Sequence, residues 1–69
     1  MMRYDDWQTM AVTFYREDQD REMDIMCDVK WDDDLNVTYI GSLEQVNDSD
    51  KWELIDSRLT LAPNCTISL

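Results

Sequence analysis

Arg21-Glu22-Met23-Asp24-Ile25-Met26-Cys27-Asp28-Val29-Lys30-Trp31 is the stretch that decides the fold. Met23, Ile25, Cys27, Val29 and Trp31 share one parity. Arg21, Glu22, Asp24, Asp28 and Lys30 fill most of the other places, and Met26 breaks the polar row. Period-2 alternation marks a strand with one buried face, since a helix would scatter the same apolar residues around its circumference. Upstream, Met10, Val12 and Phe14 alternate with Thr9, Ala11, Thr13 and Tyr15. The polar connector Glu17-Asp18-Gln19-Asp20 joins the two runs and has the length of a hairpin loop.

Downstream, Asp32-Asp33-Asp34 stops the second strand. Leu35-Asn36-Val37-Thr38-Tyr39-Ile40 then reads as a third, with Leu35, Val37 and Tyr39 on one side and Gly41-Ser42 at its end. Ser42-Leu43-Glu44-Gln45 has the spacing of a helix capping box, and Asp50-Lys51-Trp52-Glu53 could open another helical turn. Segment 51–62 carries two patterns. Trp52, Ile55 and Leu59 fit a helix face, whereas Leu59 and Leu61 alternate as in a strand. A strand is favoured, ended by Pro63, which lacks the N–H that a ladder needs. Cys65, Ile67 and Leu69 alternate again, as in a short edge strand or docking segment.

The expected fold is mainly β: a single small domain, 1–69, built as an antiparallel β-meander of about four strands with one short helix or helical turn in 42–56. Its core face carries Met10, Val12, Phe14, Met23, Ile25, Cys27, Val29, Trp31, Val37 and Tyr39. The C-terminal segment or a second copy should cover that face, so a homodimer is one expected arrangement.

Composition narrows the function. The chain has 69 residues, 16 Asp plus Glu against 6 Lys plus Arg, no histidine, and a formal net charge of −10. Hydrophobic residues make up 43%, so the charge does not imply disorder. A catalytic His and a His-ligated zinc are excluded, and two cysteines alone cannot close a four-ligand zinc site. Asp18-x-Asp20-x-Glu22 lacks the central Gly and later Glu of a calcium loop. Neither a metal nor another cofactor is expected. Cys27, on the core face, reads as a small hydrophobe, and Cys65 as a spare thiol. The chain is therefore expected not to be an enzyme. Direct nucleic-acid binding is disfavoured by the sign of the field, and no apolar run approaches a membrane span.

The N-terminal Met1-Met2-Arg3-Tyr4-Asp5-Asp6 shows no apolar signal region, which suggests the cytoplasm and reduced thiols. Asn36, Asn47 and Asn64 each begin an Asn-x-Ser/Thr triplet; in a cytoplasmic chain these read as turn and strand-end chemistry.

Carboxylates run through the ordered pattern, not a tail. Beyond Asp5 and Asp6, the candidate partner-binding residues are Glu17, Asp18, Asp20, Glu22, Asp24, Asp28, Asp32, Asp33 and Asp34. On a strand, Glu22 and Asp24 project from one face about 6.8 Å apart, and Asp28 follows on the same face. Rows of fixed carboxylates resemble a phosphate backbone, although duplex DNA is denser, at about one charge per 1.7 Å of axis. Arg16, Arg21 and Lys30 dilute the field locally. Trp7, Trp31 and Trp52 with Tyr4, Tyr15 and Tyr39 are by default core, but aromatics among carboxylates also suit an arginine-rich partner.

In size, charge and lack of catalytic residues, the chain resembles the small acidic inhibitors that phages direct against host restriction or CRISPR complexes. That resemblance implies a non-catalytic inhibitor that occupies the basic groove of a nucleic-acid-handling complex as a nucleic-acid mimic. It would act in the host cytoplasm. The alternative is an immunity-protein or antitoxin-like cap, or an oligomeric interaction module, without mimicry.

Overall fold

The computed structural model describes residues 7–69, so Tyr4, Asp5 and Asp6 lie outside the described residues. Strands β1 (Trp7–Arg16) and β2 (Arg21–Trp31) form the expected hairpin, paired from Trp7↔Lys30 to Arg16↔Arg21. The loop 17–20 closes with the Asp20 N–H donating to the Glu17 carbonyl at 3.2 Å. Asp20 adopts φ 49°, a left-handed conformation that Asp tolerates better than most residues. β3 (Val37–Ser42) follows antiparallel to β2, which completes the meander. β4 (Trp52–Leu54) pairs antiparallel with β1, and β5 (Leu61–Ser68) pairs parallel with β3. The sheet order is β4-β1-β2-β3-β5, curled into a half-barrel.

The core lies on the concave side. Val12, Phe14, Ile25, Cys27, Val29, Val37 and Ile40 are fully enclosed. Each large apolar side chain among them contributes about 2 kcal/mol by leaving water. Met10, Met23 and Trp31 continue the rows half-buried. Segments from the second half, including Val46, Trp52, Leu54, Leu59, Cys65 and Leu69, pack against them. The expectation that the C-terminal part covers the apolar face is therefore met.

Four details correct the sequence reading. Tyr39 is not on the core face. The register shifts between Val37 and Tyr39, opposite the Lys30–Trp31 step, which leaves Thr38 as an extra residue. The bulge turns Tyr39 outward and sends Ile40 inward against Val29. Second, β3 runs on through Gly41 and Ser42. The Tyr39 ring lies over Gly41, where a Cβ would meet its atoms at 2.5–2.9 Å, so a larger residue there would require the ring to move aside.

Third, Ser42-x-x-Gln45 opens no helix. The Ser42 hydroxyl accepts from the Glu44 N–H at 3.1 Å and donates to the Glu44 carbonyl at 2.7 Å, a local turn that competes with helix. The helical turn in this region is a 3-10 turn, Ser49–Lys51. Fourth, the strand expected in 51–62 covers only Trp52–Leu54, and Pro63 lies within β5 instead of ending a strand. β5 is a sheet edge, and its register skips residues between Leu61 and Thr66. An edge strand at an irregularity tolerates a residue with no N–H.

The β2–β3 turn holds a strained residue. Leu35 has φ 65° and is 70% exposed. A left-handed conformation in a non-glycine residue costs about 1–2 kcal/mol, and this side chain recovers little by burial. Leu35→Gly should therefore raise stability by about 0.5–1 kcal/mol in urea denaturation. An unchanged or lower midpoint would show that the Leu35 side chain contributes to the fold.

Candidate functional site: the acidic outer face of the sheet

The convex face is the other parity of the same alternation. On β2 it presents Glu22, Asp24, Met26, Asp28 and Lys30, and on β1 Thr9, Ala11, Thr13 and Tyr15. Register places Thr9 beside Asp28, Thr13 beside Asp24 and Tyr15 beside Glu22. The Thr9 hydroxyl donates to Asp28 at 3.2 Å and the Thr13 hydroxyl to Asp24 at 2.7 Å. These cross-strand bonds hold two carboxylates upright on a rigid surface.

The hairpin turn adds three more carboxylates at one end. Asp20 accepts from the Tyr15 hydroxyl at 2.8 Å. That bond, with desolvation and the charges of Asp20, Glu17 and Glu22, holds the Tyr15 phenol above its ordinary range. Asp18 accepts two bonds from the Arg16 guanidinium, at 2.6 and 3.0 Å, which lower its pKa and raise that of Arg16. Arg16 itself is buried, reaches Asp48 at 3.3 Å and lies 5.9 Å from the Trp52 ring centroid. Glu17 is exposed and makes no hydrogen bond or ion pair through its carboxylate among the described residues.

Asp32, Asp33 and Asp34 sit beyond the far end of β2, about 34 Å from the hairpin turn by strand rise. Asp32 is structural. One of its oxygens accepts from the Asp34 and Asn36 N–H groups, both at 2.9 Å, which shapes the turn into β3. Asp33 and Asp34 are exposed. The nine candidate residues thus form a line instead of a single patch. The line runs from the hairpin turn through Glu22, Asp24 and Asp28 to the far turn, along a molecule 44 Å long. Met26 and Lys30 interrupt it.

Sequence reasoning missed three features of this surface. Trp7 and Tyr39 meet edge to face on the convex side, ring centroids 5.5 Å apart, with the Lys30 ammonium 5.6 Å from the Trp7 centroid. The bulge that places Tyr39 there left no mark in the apolar pattern. Glu44 reaches back to the Met26 N–H at 3.4 Å just past the end of β3. Asp56 is buried and accepts from the Thr13 N–H at 3.0 Å, just past the end of β4. Both carboxylates finish sheet edges where a strand stops short.

Cys27 is fully enclosed, and burial, with a contribution from Glu44, pushes its thiol up to about 11. Cys65 is half-buried and also raised by burial; both thiols are free. Among the described residues, no three His, Cys, Asp or Glu side chains converge to hold a metal ion, and no helix is long and apolar enough to cross a membrane. No family model matches the chain, and neither a curated protein nor a solved structure matches it.

Proposed function

We propose that this chain is a non-catalytic inhibitor that presents the outer face of β2 to the basic groove of a nucleic-acid-handling protein complex, in place of nucleic acid. The observation that carries this reading is the line of carboxylates along β2. Glu22 and Asp24 are about 6.8 Å apart, Asp28 is about 13.6 Å further on, and an acidic turn stands at each end. Two of the three face carboxylates are pre-oriented by threonine hydroxyls, so less side-chain freedom is lost on docking. A net charge of −10 favours encounter with a cationic groove. Inhibition is by occupancy: fixed carboxylates take the places of phosphates and no bond is made or broken.

The half-exposed Trp7 beside Tyr39 supports a second reading, in which the same face caps a basic protein that handles no nucleic acid. Aromatic anchors of this kind often dominate interface energetics. One capture experiment separates the two. The tagged chain is incubated with bacterial lysate at low salt, with and without nuclease, and the captured proteins are identified. Mimicry is supported by a nucleic-acid-binding complex that survives nuclease treatment and is released by added DNA or RNA and by salt. A partner unaffected by competing nucleic acid supports the capping reading.

A further inference from the structure

We infer that the open seam of the half-barrel, between β4 and β5, binds an extended segment of a partner protein in which apolar residues alternate with Lys or Arg. The inference concerns a surface on the concave side and does not depend on the outer-face reading. β4 and β5 are the two ends of the sheet order, so among the described residues each has one edge with no strand beside it. Between them lies a cleft of about 540 Å³, lined by Phe14, Trp52, Leu54, Ile67 and Leu69, with Asp50 and Glu53 among its remaining wall residues. Among the described residues no basic side chain lines it.

Ile67 shows that the seam is incomplete. Its register partner on β3 is Ile40, which is fully buried, so Ile67 sits on the core side of the sheet. Yet it is 42% exposed, since among the described residues no strand lies beyond β5 to cover it. Leu54, paired with fully buried Phe14 on the opposite bank, is only half-buried. An added strand would use the free backbone groups for its ladder and send alternate side chains down onto Ile67 and Leu54. The opposite parity would face Asp50 and Glu53, which selects Lys or Arg there. A second copy of this chain is disfavoured as occupant by repulsion between two bodies each of charge −10.

The test uses the isotopically labelled full chain. One probe is a blocked heptapeptide alternating Lys with Val, and the other is the same peptide with Glu for Lys. The basic peptide should shift the amides of Trp52–Leu54 and Thr66–Ser68 and slow their hydrogen exchange by about tenfold or more; the acidic peptide should not. Ile67→Asp, at a position already partly open to water, should weaken the basic peptide by about tenfold through a charge placed in the apolar cleft. Glu53→Lys, a milder change, should weaken it by about threefold. Three results would overturn the inference: no shifts at millimolar peptide; shifts confined to Glu22–Asp28 and insensitive to Ile67→Asp; or peptide-free dimerisation that Ile67→Asp abolishes, which would assign the seam to a second copy.

Discussion

Reversing Glu22, Asp24 and Asp28 to lysine together is expected to abolish capture of the nucleic-acid-binding complex recovered on the wild-type chain. All three stand on the outer face of β2, two of them held in place by threonines of β1. A charge at a partly desolvated interface contributes about 1 kcal/mol. Three reversals then remove about 3 kcal/mol, or about 100-fold in affinity, before repulsion is counted. Neutral Asp24→Asn and Asp28→Asn keep an acceptor for each threonine and should weaken binding by about 30-fold together. Asp50→Lys makes the same charge change per residue in the 3-10 turn, away from this face, and should alter affinity less than about twofold at physiological salt. Equal losses from Asp50→Lys and from Asp24→Lys would assign binding to total charge and reject a positioned row. Positions 22 and 24 are exposed and position 28 is half-buried at the surface, so circular dichroism and the urea midpoint should show the fold retained.

How much of this could be read from the chain follows from where the physics is local. The β1–β2 hairpin was legible because one face of both strands is buried, and burial enforces alternation over 10 and 11 residues. Glu22, Asp24 and Asp28 were placed on a common face by the same rule. Tyr39 was assigned to the wrong face because a bulge adds one residue without changing residue types, and period counting cannot register it. The second half was less legible. β4 has three residues, too few to show a period, and β5 joins the sheet by parallel pairing with a strand distant in sequence. Pro63 signals a strand end only if its N–H would be required, and on an edge it is not. The carboxylates looked equivalent in sequence. In the fold Asp32, Glu44 and Asp56 complete backbone hydrogen bonding, Asp18 serves the Arg16 cluster, and Glu17, Glu22, Asp33 and Asp34 face solvent.

Asp56 is where an acidic residue bears most directly on stability, and its loss should lower the melting temperature sharply. Its side chain is 3% exposed. It accepts the Thr13 N–H at 3.0 Å and both a backbone and a side-chain bond from Arg58, at 3.0 and 2.9 Å, with a second guanidinium contact at 2.6 Å. Arg58 also donates to the Ala11 carbonyl, so the pair extends the ladder along β1 beyond the end of β4. Asp56→Ala strands a backbone N–H and removes the partner of Arg58, at a cost of about 3 kcal/mol. A chain of this size has only about 3–10 kcal/mol in total, and the melting temperature should fall by roughly 12–24 °C. The Arg58 hydrogen bonds, aided by the Thr13 N–H, hold the Asp56 carboxyl well below the usual carboxylate range. A group whose pKa is lower when folded contributes stability that is complete above its unfolded value of about 3.9 and is lost as pH falls toward its folded value. Other carboxylates titrate in the same window, and their protonation relieves self-repulsion, so the wild-type curve alone is ambiguous. Asp56→Asn isolates the contribution, since it keeps the shape and an acceptor but cannot ionise. The stability difference between wild type and Asp56→Asn should be largest at pH 6 and shrink steadily from pH 4 to pH 2. A difference that stays constant across that range would show that Asp56 acts through shape and hydrogen bonding alone, without its charge.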